Sequence, residues 1–254
     1  MDKVEPLFQC KNLAFHYPLG TVEVPALHAL DLTLSPGQMT CFAGPSGSGK
    51  STLLRILGLI EPIQTGDVLY RGTSLKGLSE KQKNQIRRTE LGFIFQHFVL
   101  FDTLTAVENV EYFLKHRGFS AKEKRERALN ALNAVGLGAQ ARQRPRQMSG
   151  GQRQRVAIAR ALAKDPRVII ADEPTASLDQ ATGQQIMSLL SELGKTQGVT
   201  VVLASHDPMA MSFAQQIVRL KDGHLQAVES RSKLTVAPAA HVAPRTEEAP
   251  WCAI

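Results

Sequence analysis

Cysteine is scarce in this sequence, and long apolar runs are missing. Cys10, Cys41 and Cys252 are the only three cysteines in 254 residues. So few, so far apart and without C-x-x-C spacing, they exclude a disulfide framework and a redox or metal pair of that kind, and they suit a reducing compartment. No run of about 18 apolar residues occurs, the longest candidates being broken at Arg55 and Glu61. The chain is therefore not expected to span a bilayer, and any membrane role must pass through a partner. Met1-Asp2-Lys3-Val4-Glu5-Pro6 lacks the apolar core of a signal peptide, so export is not expected. Internal repeats and sustained heptads are absent as well, which removes solenoids and coiled coils. From about Glu229 the chain is rich in Ala and Pro (Pro238, Pro244, Pro250), poor in large apolar residues, and holds the only tryptophan, Trp251. Such a stretch does not pack, and residues 229–254 are expected to form a flexible tail behind a domain of residues 1–228.

What is present is material for a core, together with a localised charge. Apolar residues make up 43% of the chain, ample at this length, and one or two domains are expected, a single large α/β domain included. Thirty Lys and Arg against 23 Asp and Glu leave a formal charge of +7. Residues 142–167 hold eight basic side chains (Arg142, Arg144, Arg146, Arg153, Arg155, Arg160, Lys164, Arg167) and one acid, Asp165. That stretch accounts for the whole surplus, so a general polycation coating nucleic acid is not expected.

Short β-branched runs alternate with longer helical patterns, the signature of parallel β/α construction. Met39 to Ala43, Val168 to Ala171 and Val199 to Ser205 read as strands buried on both faces, because their apolar runs are nearly continuous. Ahead of them, Leu7 to Leu34 alternates between turn signals and reads as a small antiparallel sheet. Thr105-x-x-Glu108 and Ser120-x-x-Glu123 are capping boxes that open helices closing near Gly118 and Gly136. Residues 97–164 read as an all-helical insertion.

Gly44-Pro45-Ser46-Gly47-Ser48-Gly49-Lys50-Ser51 fits G-x-x-x-x-G-K-[ST], after a strand and before a helix expected over Ser51 to Leu59, the two flanks a phosphate loop requires. Glycines let backbone N–H groups turn inward around phosphates, and the helix adds the positive end of its dipole. Lys50 neutralises the β and γ phosphates, and Ser51 offers a hydroxyl to Mg²⁺. Thr52, next in the helix, belongs to the same phosphate-facing turn. Asp172, at the end of Val168-Ile169-Ile170-Ala171-Asp172, supplies the acid for the Mg²⁺ shell, and Glu173 beside it is placed to act on an attacking water. A second anion site follows from Ser149-Gly150-Gly151-Gln152, which opens a helix running to Lys164. Ser149 is its N-cap, and the two glycines leave N–H groups open at a positive helix end.

Together with the phosphate loop and Asp172-Glu173, the run Ser149 to Gln152 closely resembles the signature of ATP-binding cassette (ABC) ATPases. The resemblance covers residues 7–228, with further motifs in the family's order: Tyr17 as the aromatic that stacks on adenine, Gln96 as the Q-loop glutamine, Ser177-Leu178-Asp179 as the D-loop, and His206 as the switch histidine. It implies an α/β fold, a P-loop NTPase (RecA-like) core with an N-terminal antiparallel β subdomain and an inserted α-helical subdomain. It also implies ATP and Mg²⁺ as ligands, with Ser51, Gln96 and Asp172 toward the metal and Glu173, Gln96 and His206 in catalysis. Two copies are implied to pack head to tail, the signature of one closing over the ATP of the other.

Tyr17 followed by Val24-Pro25-Ala26-Leu27, with Gly92-Phe93-Ile94-Phe95-Gln96 and Leu104-Thr105-Ala106-Val107-Glu108-Asn109-Val110, resembles the lipoprotein-releasing, macrolide-exporting and cell-division branch. That branch implies a motor on the cytoplasmic face of the bacterial inner membrane, a permease partner and a periplasmic adaptor. Met148 in place of the usual Leu and Thr175-Ala176-Ser177-Leu178-Asp179 in place of a Gly-Asn form depart from it. Signalling through a membrane partner to a periplasmic cell-wall enzyme, and import, stay open beside export. A nucleic-acid ABC ATPase is not expected without a coiled coil between the two anion sites. Phe98-Val99-Leu100-Phe101 reads as a docking surface for the membrane subunit, and the arginines around the signature helix are expected to set a positive field at the surface that meets phosphate.

Overall fold

The computed structural model describes residues 5–231. In chain order the strands are β1 (Phe8–Leu19), β2 (Val22–Leu34), β3 (Met39–Ala43), β4 (Thr65–Tyr70), β5 (Thr73–Ser74), β6 (Leu91–Ile94), β7 (Val168–Asp172), β8 (Thr200–Ala204), β9 (Gln216–Lys221) and β10 (His224–Ser230). The helices are α1 (Lys50–Leu57), α2 (Glu80–Thr89), α3 (Ala106–Tyr112), α4 (Ala121–Ala134), α5 (Gly150–Leu162), α6 (Gln180–Gln197) and α7 (Pro208–Ser212). Two sheets result, one ordered β2-β1-β4-β5 and one ordered β10-β9-β3-β8-β7-β6.

The first sheet is antiparallel throughout, as the alternation over Leu7 to Leu34 anticipates, and is wider than the sequence suggested because β4 and β5 join it. In the second, β9, β3, β8, β7 and β6 run parallel, and β10 returns antiparallel at the edge. Every residue of β3 and β8 is buried, which is why these strands carry no polar alternation. One apolar core fills the space between the large sheet and α3 to α6; another lies between the two sheets and α1.

Both expected capping boxes form: the carboxylates of Glu108 and Glu123 accept from the backbone N–H groups of Thr105 and Ser120, each at 2.7 Å. The α3 helix ends at Tyr112, short of Gly118, and the chain goes on in tighter i→i+3 turns such as Leu114 N to Glu111 O at 2.9 Å. α2 was not anticipated, since Ile86 is its only buried residue and apolar periodicity is missing. At the other end β10 runs to Ser230, past the expected domain boundary at residue 228, with Glu229 and Ser230 paired to Ile217 and Gln216 in the ladder and the Glu229 carboxylate meeting Arg219. The rest of the expected tail, with Trp251 and Cys252, lies outside the described residues. Cys10 and Cys41 are buried and unpaired.

Candidate active site

The phosphate loop leaves the C-terminal end of β3, between β8 and β9, where open α/β sheets bind ligands. Gly49 caps α1 with φ 95° and offers no side chain to its first turn, which also lacks an acid; the N–H groups there stay open for an anion. A Cβ on Gly49 would come within 2.6 Å of the Ala26 carbonyl, so the Val24-Pro25-Ala26-Leu27 segment presses on the loop from the other sheet. Lys50 curls over the loop, its Nζ donating to Gly44 O at 2.8 Å and Pro45 O at 2.7 Å. Ser51 Oγ donates to Asp172 Oδ1 at 2.9 Å, bringing the two predicted metal residues together. A hydroxyl and a carboxylate meeting at one point are the hard oxygen donors that suit Mg²⁺.

Glu173, the residue after β7, adopts φ +45°, a left-handed backbone that costs roughly 1–3 kcal/mol outside glycine and persists only where surroundings impose it. Its N–H donates to Ala204 O at 3.1 Å. Its carboxylate is held at both oxygens: Oε1 lies 2.8 Å from His206 Nδ1, and Oε2 accepts from Ser205 Oγ at 3.3 Å. Beneath it, burial and then the Glu173 charge push the Cys41 thiol up to about 12, which keeps that sulfur protonated and inert.

Tyr17 stands edge-on to Phe15, ring centroids 4.9 Å apart, and its hydroxyl lies 3.4 Å from Thr52 Oγ1, so the aromatic face is beside the phosphate loop. Gln96 is exposed just past β6, and its carbonyl accepts from Ser177 Oγ at 3.3 Å, which joins the Q-loop to the D-loop. Asp179 caps α6, accepting from Thr182 N at 3.0 Å. That backbone donor, with the Thr182 side chain, holds the Asp179 carboxyl below its ordinary range.

Ser149 caps α5 as expected: its Oγ accepts from Gln152 N at 3.2 Å, and Gln152 Oε1 accepts from Ser149 N at 2.9 Å. Of the two glycines that follow, Gly151 is pressed against the start of α6, where a Cβ would meet Thr182 Cγ2 at 2.4 Å, while a Cβ on Gly150 would sit at ordinary contact, 3.6 Å, from Leu178 of the D-loop. Among the described residues no hydrogen bond joins Ser149–Gln152 to the phosphate loop.

The basic residues depart from expectation. Arg160 and Lys164 are buried, 4% and 8% exposed, and point inward. Arg160 donates to the carbonyls of Val99 and Phe98 and lies over the Phe113 ring at 4.9 Å; burial lowers its pKa to about 10. Lys164 donates to Arg87 O at 3.2 Å and to Leu91 O. Arg155 bridges Val135 O and Gln185, both at 3.0 Å, and Arg153 covers Phe98 at 4.9 Å. Arg155, Arg160 and Lys164 thus fasten α5 and the turn after it to backbone carbonyls left open by loops, whereas Arg142, Arg144 and Arg146 ahead of the helix stay exposed. Leu100 packs against the core and half-buried Phe98 lies under Arg153, while Val99 and Phe101 are 60% and 41% exposed. Phe101 forms an open aromatic group with Tyr112 and Phe113 at 4.8 and 6.4 Å.

Two site neighbours escaped the sequence reading. Ser205 could have been found, being a hydroxyl on the strand end just before His206. Gln154, whose amide reaches Pro174 O at 2.6 Å, carries no motif signal and reads as one more polar helix residue.

A parallel sheet with a phosphate loop and an Asp-Glu pair on its carboxyl edge defines a P-loop nucleoside triphosphatase. A model of the ABC transporter family matches residues 27–176. The macrolide export ATP-binding/permease protein MacB of Wolinella succinogenes is 43% identical over 221 residues, 87% of this chain and 34% of that protein, so the chain spans about a third of that relative's length. An ABC transporter ATP-binding protein of Methanocaldococcus jannaschii is 43% identical over 227 residues, 88% of this chain and 97% of its own. The dimeric structure of that archaeal cassette in a post-hydrolysis state, bound to ADP and Pi, matches with a TM-score of 0.82 at 42% identity, covering 89% of this chain and 100% of the other. The chain belongs to the ABC transporter family, as an ATP-binding and ATP-hydrolysing subunit.

Proposed function

We propose that this chain drives extrusion from the bacterial inner membrane, and that its two anion-binding loops serve two different ATP molecules. One observation carries the reading. Ser149–Gln152 is a finished helix start open to an anion, yet nothing ties it to the phosphate loop of its own chain. A second copy packed head to tail supplies the missing phosphate, and the dimeric form of the archaeal relative supports a homodimer. In each site Tyr17 stacks on adenine, Lys50 and the loop N–H groups from Gly44 to Thr52 grip the phosphates, and Asp179 helps close the neighbouring edge. Ser51, Asp172 and Gln96 hold Mg²⁺, which when bound neutralises and orients the phosphate oxygens. Glu173 takes a proton from the attacking water, a role worth ~10²–10⁴ in rate, and His206 steadies the γ-phosphate.

Loss of the bridging γ-phosphate separates the two halves, and the helical insertion over 97–164 passes that motion to a permease at the cytoplasmic face. Among the described residues no helix is long and apolar enough to cross a membrane, and the exposed Val99 and Phe101 offer the contact. A periplasmic adaptor completes the assembly. Support for the branch comes from the MacB relatives, named ATP-binding/permease proteins for macrolide export.

The test is Glu173→Gln with ATP. The variant should bind ATP, lose at least about 10²-fold in phosphate release, and run as a dimer on gel filtration. Unchanged turnover overturns the assignment of the base, and an ATP-loaded monomer overturns the shared sites.

A further inference from the structure

We infer that Gln154 is a positioning residue, which holds the Glu173-Pro174 turn of each chain to that chain's own signature helix. The inference rests on the reading of Glu173 as the base.

Gln154 is fully buried on α5, five residues after the capping Ser149. Its Nε2 donates to the carbonyl of Pro174 at 2.6 Å. Its Oε1 is buried as well and has no partner. A buried amide oxygen without a donor is a standing cost, and space alone would be filled better by an apolar side chain of equal length. The bond to Pro174 is the one interaction that accounts for an amide here.

Pro174 directly follows the left-handed Glu173, and such a backbone stays in place only because neighbours hold it. Three hydrogen bonds hold the backbone of the turn: Glu173 N to Ala204 O at 3.1 Å, Ala176 N to Glu173 O at 3.2 Å, and the amide of Gln154 on Pro174 O. The first two lie within the nucleotide-binding core. Only the third comes from α5, the helix that starts at Ser149. A shift of α5 when the signature seats on the partner's phosphate therefore reaches the turn that carries the base, and reaches it in the same chain. Each base is thereby set by a helix whose own start faces the other site.

Gln154→Met removes the donor and the orphan oxygen while keeping side-chain length. In the homodimer, kcat should fall about ten- to a hundred-fold, as for a displaced reacting group. KM for ATP should stay within two-fold, and the melting temperature within about 4 °C. Gln154→Glu can still donate to Pro174 O in its protonated form, so its rate should recover as pH is lowered, whereas that of Gln154→Met should not. Mixed dimers isolated through two affinity tags then locate the effect. Paired with a Glu173→Gln chain, a Gln154→Met chain contributes the only base and should be slow. When Gln154→Met and Glu173→Gln share one chain and the other is unmodified, the rate should equal that of the plain Glu173→Gln mixture. Loss in the second arrangement, equal loss in both, loss only through KM or melting temperature, or no loss overturns the proposal. Failure of Glu173→Gln to trap a dimer overturns the earlier reading instead.

Discussion

Oε1 of Glu173 lies 2.8 Å from Nδ1 of His206, and the two side chains are 16% and 69% exposed. The carboxylate is anchored at both oxygens while the imidazole is largely exposed, which suits the proposed contact of His206 with a γ-phosphate. Replacing the histidine should leave ATP binding intact and slow the chemical step. His206→Ala is expected to lower kcat by about 10²-fold, the usual effect of deleting one donor to a developing charge, with little change in KM. Steady-state phosphate release measures both, and an unchanged kcat would contradict the role.

Tyr17 offers its ring beside the loop that grips phosphate. Base stacking on an aromatic side chain is worth about 1–3 kcal/mol. Tyr17→Ala should therefore weaken ATP binding by roughly 5- to 150-fold, and Tyr17→Phe should restore it. Equilibrium titration with a fluorescent ATP analogue measures both constants; equal affinity in all three chains would remove Tyr17 from the site.

Gly151 is fixed by its neighbour. Any side chain there meets Thr182 Cγ2 at 2.4 Å, so Gly151→Ala should push the start of α5 away from α6, and a misplacement of about 1 Å costs on the order of 10²-fold in rate. Thr182→Ser deletes that methyl and keeps the hydroxyl. The double variant should regain most of the lost ATPase activity, and a double variant as slow as Gly151→Ala would show that crowding is not the cause.

Lys164 is a buried cation whose pKa falls to about 8, chiefly through burial and then through Arg117 and Arg160. In the unfolded chain the same group titrates near 10.4. Between about pH 8 and that value the unfolded state binds more protons, so the cost of burying the charge is fully present below pH 8 and is relieved as pH rises. Urea unfolding from pH 7 to pH 10 should show the unmodified chain gaining up to about 3 kcal/mol on Lys164→Met. Thiols and tyrosines shared by both chains cancel in that difference, and a flat difference would contradict the burial argument.

The parts legible in the sequence are those where local pattern and function coincide. Gly44 to Ser51, the capping serines and threonine, and the buried strands β3, β7 and β8 each need particular residues within a few positions. α2 escaped because its residues are almost all polar and only its capping box, Ser79 with Gln82, marks it. The basic cluster misled because composition counts charges without their directions. The carbonyls that receive Arg160 and Lys164 lie 61 to 77 residues away along the chain. Gln154 was illegible for the same reason, its acceptor being set by the packing of α5 on the turn after β7.

The left-handed backbone at Glu173 also ranks the residues that position 173 can hold without strain. Glycine, asparagine and aspartate occupy that region more readily than glutamate, and β-branched residues scarcely at all. Glu173→Gly and Glu173→Asn therefore relax the turn and delete the carboxylate in one step, so backbone ease and the proposed base pull position 173 in opposite directions.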